Sequence, residues 1–395
     1  MIVKDEESRL ERCLQSVQGI VDEIIVVDTG SRDRTPMIAQ QFGAQVYDVP
    51  WQDDFAAARN QSLHYAQGEW ILVLDADETF LPDCIPELRQ GLQATDCIVL
   101  TLLRQEIGAQ QNPYSLVSRL FRRHPAVTFT RPYHESIDDA VAALVQQEPH
   151  WQVHSLATPA IAHDGYVPNT IIERQKAERA ERIMGQYLQA KPQDAYIGSK
   201  LGALYVSQGH IVEGLALLEQ GLQCADTPAV VAELHYHLGL AYSAQSQIAQ
   251  AQHHYEQALK IDLPIALNIA PAINLAALYT DHGAGEQAIL LLNQLLQLQP
   301  NLAIAYYNLG LAYRAVGRFP EAITAYQQAI HWQPQYPEAY QNLGVVYFKL
   351  GRTAEALTAF QQAITLYTAT HNPSEADRLR QALSNLGFPV SSPVE

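Results

Sequence analysis

The chain has 395 residues, 48% hydrophobic and 17% charged, a globular composition too long for one ordinary domain and suited to two or three. Its formal net charge of −17 argues against a nucleic-acid binder, because phosphate backbones need clustered Lys and Arg; Arg119, Arg122, Arg123 and Arg131 form the one local basic group. The cysteines Cys13, Cys84, Cys97 and Cys224 lack metal-ligand or redox spacing, there is no signal peptide, and no apolar run is long enough to span a bilayer. A cytoplasmic protein with free thiols is therefore expected.

Residues 1–3 read as the tail of a strand that runs into Asp5, Glu6 and Glu7. A helix is predicted from about Ser8, a good N-cap with Glu11 three residues on, to Gln18. Residues 21–27 form a second buried strand ending in the polar turn Asp28-Thr29-Gly30-Ser31, and a helix follows, closed by Gly43. Residues 44–47 are a short third strand, 55–66 a helix, and 70–74 a fourth strand. Strands alternating with helices predict βαβ units and a mostly parallel sheet. Right-handed crossovers place Asp5, Asp28 and Asp75 along one rim.

The fourth strand runs straight into Asp75-Ala76-Asp77-Glu78. Ligands of open α/β sheets bind beyond the carboxyl ends of the strands, and hard oxygen ligands there suit Mg²⁺ or Mn²⁺ and a phosphate-bearing substrate. The plainer reading is a strand end and a turn.

Four segments in order, residues 1–7, 28–35, 51–60 and 74–78, resemble the family 2 glycosyltransferases, which have the GT-A fold and generally use a nucleoside diphosphate sugar. The resemblance covers about residues 1–168 and implies roles. Asp75 and Asp77 match the DxD motif that holds a divalent metal on the donor diphosphate. Asp28 matches the acid that contacts the base, and Asp5, Glu6 and Glu7 the acidic stretch near base and ribose, although Asn is usual at the Asp5 position. Arg59 reaches a phosphate or else pairs with Asp53 or Asp54. Family members carry residues before the first Met-Ile-Val, so the first strand is read as truncated, and an N-terminally extended chain is expected to be more stable.

Residues 97–103 read as a β-rich run, 118–123 as a half-exposed strand and 127–131 as another short strand. This looks like the family's acceptor half. Glu135 is the candidate general base, with Asp138 and Asp139 as alternatives, because an inverting transfer needs a base within reach of the nucleophile. His163, in the segment that also holds Gly165 and Tyr166, is either a third metal ligand or a histidine satisfied at a domain junction. Arg119, Arg122 and Arg123 either bind diphosphate or guard an edge strand against pairing.

Pro168 and Asn169 mark a boundary, and residues 169–194 hold a linking helix of about 170–190. Beyond it Ala276, Gly310 and Gly344 recur 34 apart, as do Tyr279, Tyr313 and Tyr347, and Gly283, Gly317 and Gly351. This is the tetratricopeptide signature. Five repeats are expected over residues 195–370, with a capping helix and tail over 371–395. Such arrays groove around a peptide or protein, and Asn274, Asn308 and Asn342 recur at one phase, where Lys200 and His237 stand in the two earlier repeats. The fold class expected is thus an α/β GT-A-type domain followed by an all-α solenoid. The function expected is a metal-dependent transferase of a sugar from a UDP-sugar-like donor, with repeats that recruit a protein acceptor. The alternatives are a scaffold with a degenerate transferase domain and, more weakly, a nucleotidyltransferase.

Overall fold

A computed structural model describes residues 1–107, 114–164, 170–369 and 372–388. The chain divides into two compact units, Met1–Ser246 and Gln247–Glu395.

The first unit opens with β1 (Ile2–Val3), α1 (Leu10–Ser16), β2 (Ile25–Asp28), α2 (Thr35–Gln41), β3 (Gln45–Asp48) and α3 (Phe55–Tyr65). The three strands form a parallel sheet in the order β1-β2-β3, as the βαβ alternation predicts. Val3, Val26, Leu10, Leu14, Ile38 and Ala76 close one core beneath it. Ser8 does not cap α1: the helix starts at Leu10, with Arg9 at the cap position and no side-chain cap bond. Asp54 does cap α3, its carboxylate accepting from the Ala57 amide at 2.8 Å.

A second sheet follows, built from β4 (Trp70–Leu72), β5 (Glu78–Phe80), β6 (Cys97–Glu106), β7 (Tyr114–Arg122) and β8 (Gln152–His163), with α4 (Ile85–Leu92) and α5 (Asp138–Gln147) between strands. Its order is β4-β7-β6-β8-β5. The segment expected as a fourth parallel strand instead pairs antiparallel with β7, Ile71 opposite Phe121. The long β6–β7 antiparallel pair offers it a ready ladder. Because β7 lies between β4 and β6, its arginines guard no edge. Residues 127–131, expected as a strand, contribute only the bridge Thr130–Ser136. One register matters for chemistry: His163 of β8 faces Glu106 of β6 and Glu78 of β5.

Four helices complete this unit: α6 (Thr170–Ala190), α7 (Ala195–Ser207), α8 (Ile211–Cys224) and α9 (Pro228–Ala244). α6 falls on the expected linking helix. Gly165, Tyr166, Pro168 and Asn169 lie outside the described residues. Ala180, Met184, Ile197 and Leu201 form a cluster that also takes the ring of Tyr133, so these helices pack as one body with the sheets.

The second unit holds α10 (Ile248–Lys260), α11 (Ile265–Asp281), α12 (Gly285–Leu298), α13 (Ala303–Ala315), α14 (Phe319–Trp332), α15 (Pro337–Lys349), α16 (Thr353–Ala369) and α17 (Pro373–Asn385). The recurring small residues have a steric cause. A Cβ on Gly310 would stand 2.5 Å from the Tyr326 ring, and one on Gly344 2.8 Å from Phe360, so α13 and α14, like α15 and α16, touch through glycine. Gly317 and Gly351 follow their helices at φ +79° and +74°, the left-handed C′ conformation that glycine adopts without Cβ strain. Among the described residues no helix is long and apolar enough to cross a membrane.

Candidate functional site

The acids that end β4 do not stand open. Asp75 Oδ1 accepts from Arg59 Nη2 at 2.7 Å and Oδ2 from Arg119 Nη1 at 2.8 Å. Arg59 lies on α3, as expected, but its partners are Asp75 and Glu135 rather than Asp53 or Asp54: its Nε donates to Glu135 Oε1. Arg119 also reaches Glu78 Oε2 at 3.3 Å. Burial alone would raise the Asp75 carboxyl, but the charges of Arg119 and Arg59 outweigh it and hold the group well below the usual carboxylate range.

Glu78, fully buried, accepts from the Asp75 amide at 2.9 Å and also joins the neighbouring charges. Arg104 Nη1 donates to its Oε1 at 3.0 Å, and Arg104 Nε donates to Glu106 Oε1 at 2.8 Å. Glu106 Oε2 meets His163 Nδ1 at 2.7 Å, and His163 Nε2 faces Asp77 Oδ2 at 3.5 Å, where Arg9 stands 3.7 Å away. One chain of alternating charge thus runs Glu135, Arg59, Asp75, Arg119, Glu78, Arg104, Glu106, His163, Asp77, Arg9. Hydrogen bonds that the ring donates to the Asp77 and Glu106 carboxylates raise His163 to about 9. Burial works against Glu106, yet its bond from His163 and the charge of Arg104 bring it down to about 2. Arg59 is 3% exposed, and its Nη1 has no hydrogen-bond partner among the described residues.

Asp28, Asp5 and Glu7 occupy a neighbouring pair of loops and lace them together. Asp28 Oδ1 accepts from Ser31 Oγ at 2.5 Å, Asp5 Oδ1 from the Arg32 amide at 2.7 Å, and Glu7 Oε2 from the Arg34 amide at 3.0 Å. Asp5 has φ +54°, a left-handed conformation that Asp and Asn tolerate best among non-glycine residues, which accounts for either type at this position. The alternative bases are engaged elsewhere: Asp138 with Ser136, and Asp139 with Arg131. Of the three clustered arginines only Arg119 enters the acidic chain. Arg122 pairs with Glu69 and lies over the Trp70 ring, and Arg123 donates to the Gly68 carbonyl.

The sequence reading missed Arg104 and Glu106 as members of this site. A signal existed: they are two apart at the end of an apolar strand, so both point to one face.

Among the described residues no group of three His, Cys, Asp or Glu side chains forms a metal cage. Asp77 and His163 nevertheless fit as a two-residue donor set, with Glu106 behind His163 fixing the ring, as ligating histidines require. Magnesium-type sites take one or two protein ligands and leave the rest to phosphate and water.

In the repeats, the recurring asparagines turn back on their own helices. Asn274 donates to the Ala270 carbonyl and Asn308 to Ile304, each at 2.9 Å, and Asn342 bonds Glu338, Tyr307 and Arg314. Asn308 is buried. At the same phase in the first unit, Lys200 pairs with Glu233 at 2.8 Å, and His237 stands 3.7 Å from that carboxylate.

Comparison with known proteins places these features. Residues 1–153 match the family model for glycosyl transferase family 2. Tetratricopeptide models match residues 232–263, 277–317, 310–351 and 337–367. The chain is 46% identical over 284 residues to a TPR repeat-containing protein of Synechococcus elongatus, covering 72% of this chain and 70% of that one. It is 30% identical over 206 residues to the SPbeta prophage-derived glycosyltransferase SunS of Bacillus subtilis, covering 49% of this chain and 45% of that protein. An uncharacterized glycosyltransferase of Rickettsia bellii is 41% identical over 78 residues, 20% of this chain and 26% of its own.

Proposed function

Because the chain belongs to the family 2 glycosyltransferases and carries tetratricopeptide repeats behind its transferase domain, we propose that it moves a sugar, with inversion, from a nucleoside diphosphate sugar to a protein or peptide acceptor gathered by the repeats. In this reading the transferase domain occupies residues 1–168, residues 169–194 link it to the repeats of 195–370, and residues 371–395 cap them. The observation that carries it is the connected chain from Glu135 to Asp77. Buried charges cost stability unless paired, and a purely structural domain has no need to gather five acids and a histidine at one strand end.

Asp77 and His163 hold a divalent cation, Mn²⁺ or Mg²⁺, with Asp75 beside them. Each Asp75 oxygen keeps a second lone pair after accepting from its arginine. The bound cation supplies positive charge against the leaving diphosphate. Arg59 presents its unpaired Nη1 to an anionic oxygen of the donor, and Asp5, Glu7 and Asp28 floor the nucleotide end, for which uridine is the proposed base. Glu135, one oxygen fixed by Arg59, takes the acceptor proton on the other.

The experiment is calorimetric binding of a panel of sugar nucleotides with and without Mn²⁺, repeated with Asp77→Ala. Mn²⁺-dependent binding that Asp77→Ala abolishes supports the reading. No binding of any sugar nucleotide favours the non-catalytic scaffold, which one observation supports: the described residues form no three-ligand cage.

A further inference from the structure

Glu135 rides on a short loop that two different parts of the fold hold. Residues 130–136 are closed by the Thr130–Ser136 bridge, Thr130 N to Ser136 O at 2.9 Å. Within the loop, Arg131 has φ +72° and His134 φ +51°. Two non-glycine residues in left-handed conformation within four positions persist only where their surroundings over-determine them.

On one side the surroundings are α3. The Phe55 amide donates to the Pro132 carbonyl at 3.0 Å, and Arg59 of the same helix holds Glu135. On the other side they are the first repeat helix. Asp194, the N-cap of α7, accepts from Arg131 Nε on Oδ2 at 2.9 Å. That oxygen also accepts from Tyr187 at 2.9 Å, while Oδ1 caps the Ile197 amide at 3.0 Å. The Arg131 guanidinium lies 4.8 Å over the Tyr196 ring, and its Nη2 pairs with Asp139 at 2.8 Å. Tyr133, two residues before Glu135, packs its ring into the α6–α7 cluster and against Phe55, 5.4 Å away.

We propose that Asp194, the N-cap of the first repeat helix, is a positioning residue for the base Glu135, acting through Arg131. The inference rests on the reading of Glu135 as general base. Its physical content is simple. The strained Arg131 backbone stays left-handed because its side chain is held between Asp194 at the start of α7 and Asp139 of α5. Releasing the Asp194 contact lets residues 131–135 relax, and Glu135 slides along or off Arg59. The repeat array then does more than collect the acceptor: its first helix forms part of the wall that sets the base.

The test is Asp194→Asn in the full chain. Asn caps helices as well as Asp, so α7 keeps its N-cap while the ion pair to Arg131 is lost. Two readouts follow. The Glu135 side-chain carboxyl carbon-13 resonance at one fixed pH, assigned with Glu135→Gln, is expected to shift from its wild-type position as Arg59 loosens its hold. Mn²⁺-dependent turnover over a panel of sugar nucleotides, with water as acceptor, is expected to fall about tenfold in kcat at an unchanged donor KM, the mark of lost transition-state contact. Arg131→Lys, which keeps the charge, is expected to fall between wild type and Asp194→Asn. A Glu135 carboxyl resonance that stays at its wild-type position in Asp194→Asn overturns the proposal and leaves Asp194 a cap of α7. Full turnover in Glu135→Gln, with the Glu135 resonance still moved by Asp194→Asn, instead removes the base reading and leaves the positioning contact standing.

Discussion

Arg59 and Tyr326 are 3% and 0% exposed, and the two regions that bury them work by different physics. Around Arg59 the hydrogen-bonding partners are charges, Asp75 and Glu135 in contact with Arg119 and Glu78 one step on, and the Phe129 ring lies 5.7 Å from its guanidinium. Around Tyr326 the neighbours are Gly310, Ala322, Ala356 and Phe360, and shape decides the fit. The strand-end site spends stability to hold charge out of water. The repeats gain stability by repeating one steric solution at 34-residue intervals. A change in the first region should propagate along the chain of charges, and one in the second should stay within its helix pair.

The largest break is Arg59→Met. It leaves Asp75 with Arg119 alone and Glu135 without its partner, and stripping one member from a buried ion pair typically costs about 3–5 kcal/mol. Urea unfolding followed by a fluorescence probe in the first unit measures it. A loss below about 1 kcal/mol would mean that the charges repair themselves locally, and the contrast with the repeats would fall.

Next is the pH response of His163 in metal-free protein. Its folded value, about 9, lies above the ordinary histidine value. A raised pKa gives stability that is complete below the unfolded value and lost as pH rises through the folded one. Stability should therefore fall between about pH 6.5 and 9, by something on the order of 2 kcal/mol once the ring's partial exposure is discounted, with the melting temperature falling alongside it, and His163→Gln should flatten that window. A melting temperature that rises over the same window would show that the ring is held neutral.

Gly310→Ala probes the other region. The new methyl lands 2.5 Å from the Tyr326 ring, and overpacking of this kind costs about 1–3 kcal/mol. Adding Tyr326→Leu makes room and should recover part of the loss, as thermal denaturation of the double variant would show. No recovery would place the clash on the backbone instead.

These contrasts bear on what could be read from the chain alone. The parallel strands of residues 1–48 and the 34-residue repeats were legible because their periods are local. The second sheet was not. Whether residues 70–72 join β1 or β7 depends on a partner about fifty residues away, and β8 pairs with both β6 and β5 across α5 and α4. The same holds for the site. Asp75, Asp77, Glu135, His163 and Arg59 stood out by type and position. That Arg119 and Arg104 would neutralise the acids, and that Glu106 would hold His163, followed from strand register, which no spacing displays. The asparagine recurrence shows the converse. The phase was legible, but Asn274 and Asn308 turn to their own helices, and Asn342 to its own helix and to Tyr307 and Arg314 of α13.

That recurrence supplies the smallest expected effect. Asn274 is half-buried and, among the described residues, donates to the Ala270 carbonyl of its own helix. In Asn274→Ala the lost bond is worth about 0.5–1.5 kcal/mol at most, because the carbonyl already accepts within the helix. Alanine returns several tenths of a kcal/mol, about 0.6, as the better helix former. The two nearly cancel, so stability should change by less than about 0.5 kcal/mol by urea denaturation of the second unit. Arg59→Met and Asn274→Ala then bracket the comparison, since each removes a polar group from a helix. In the first, two carboxylates on other elements depend on the group removed, whereas in the second the helix that loses the bond already satisfies the acceptor. A loss of about 2 kcal/mol or more at Asn274 would show that the repeats, too, are bound together by polar contacts between elements, and the division between charge-held and shape-held regions would have to be redrawn.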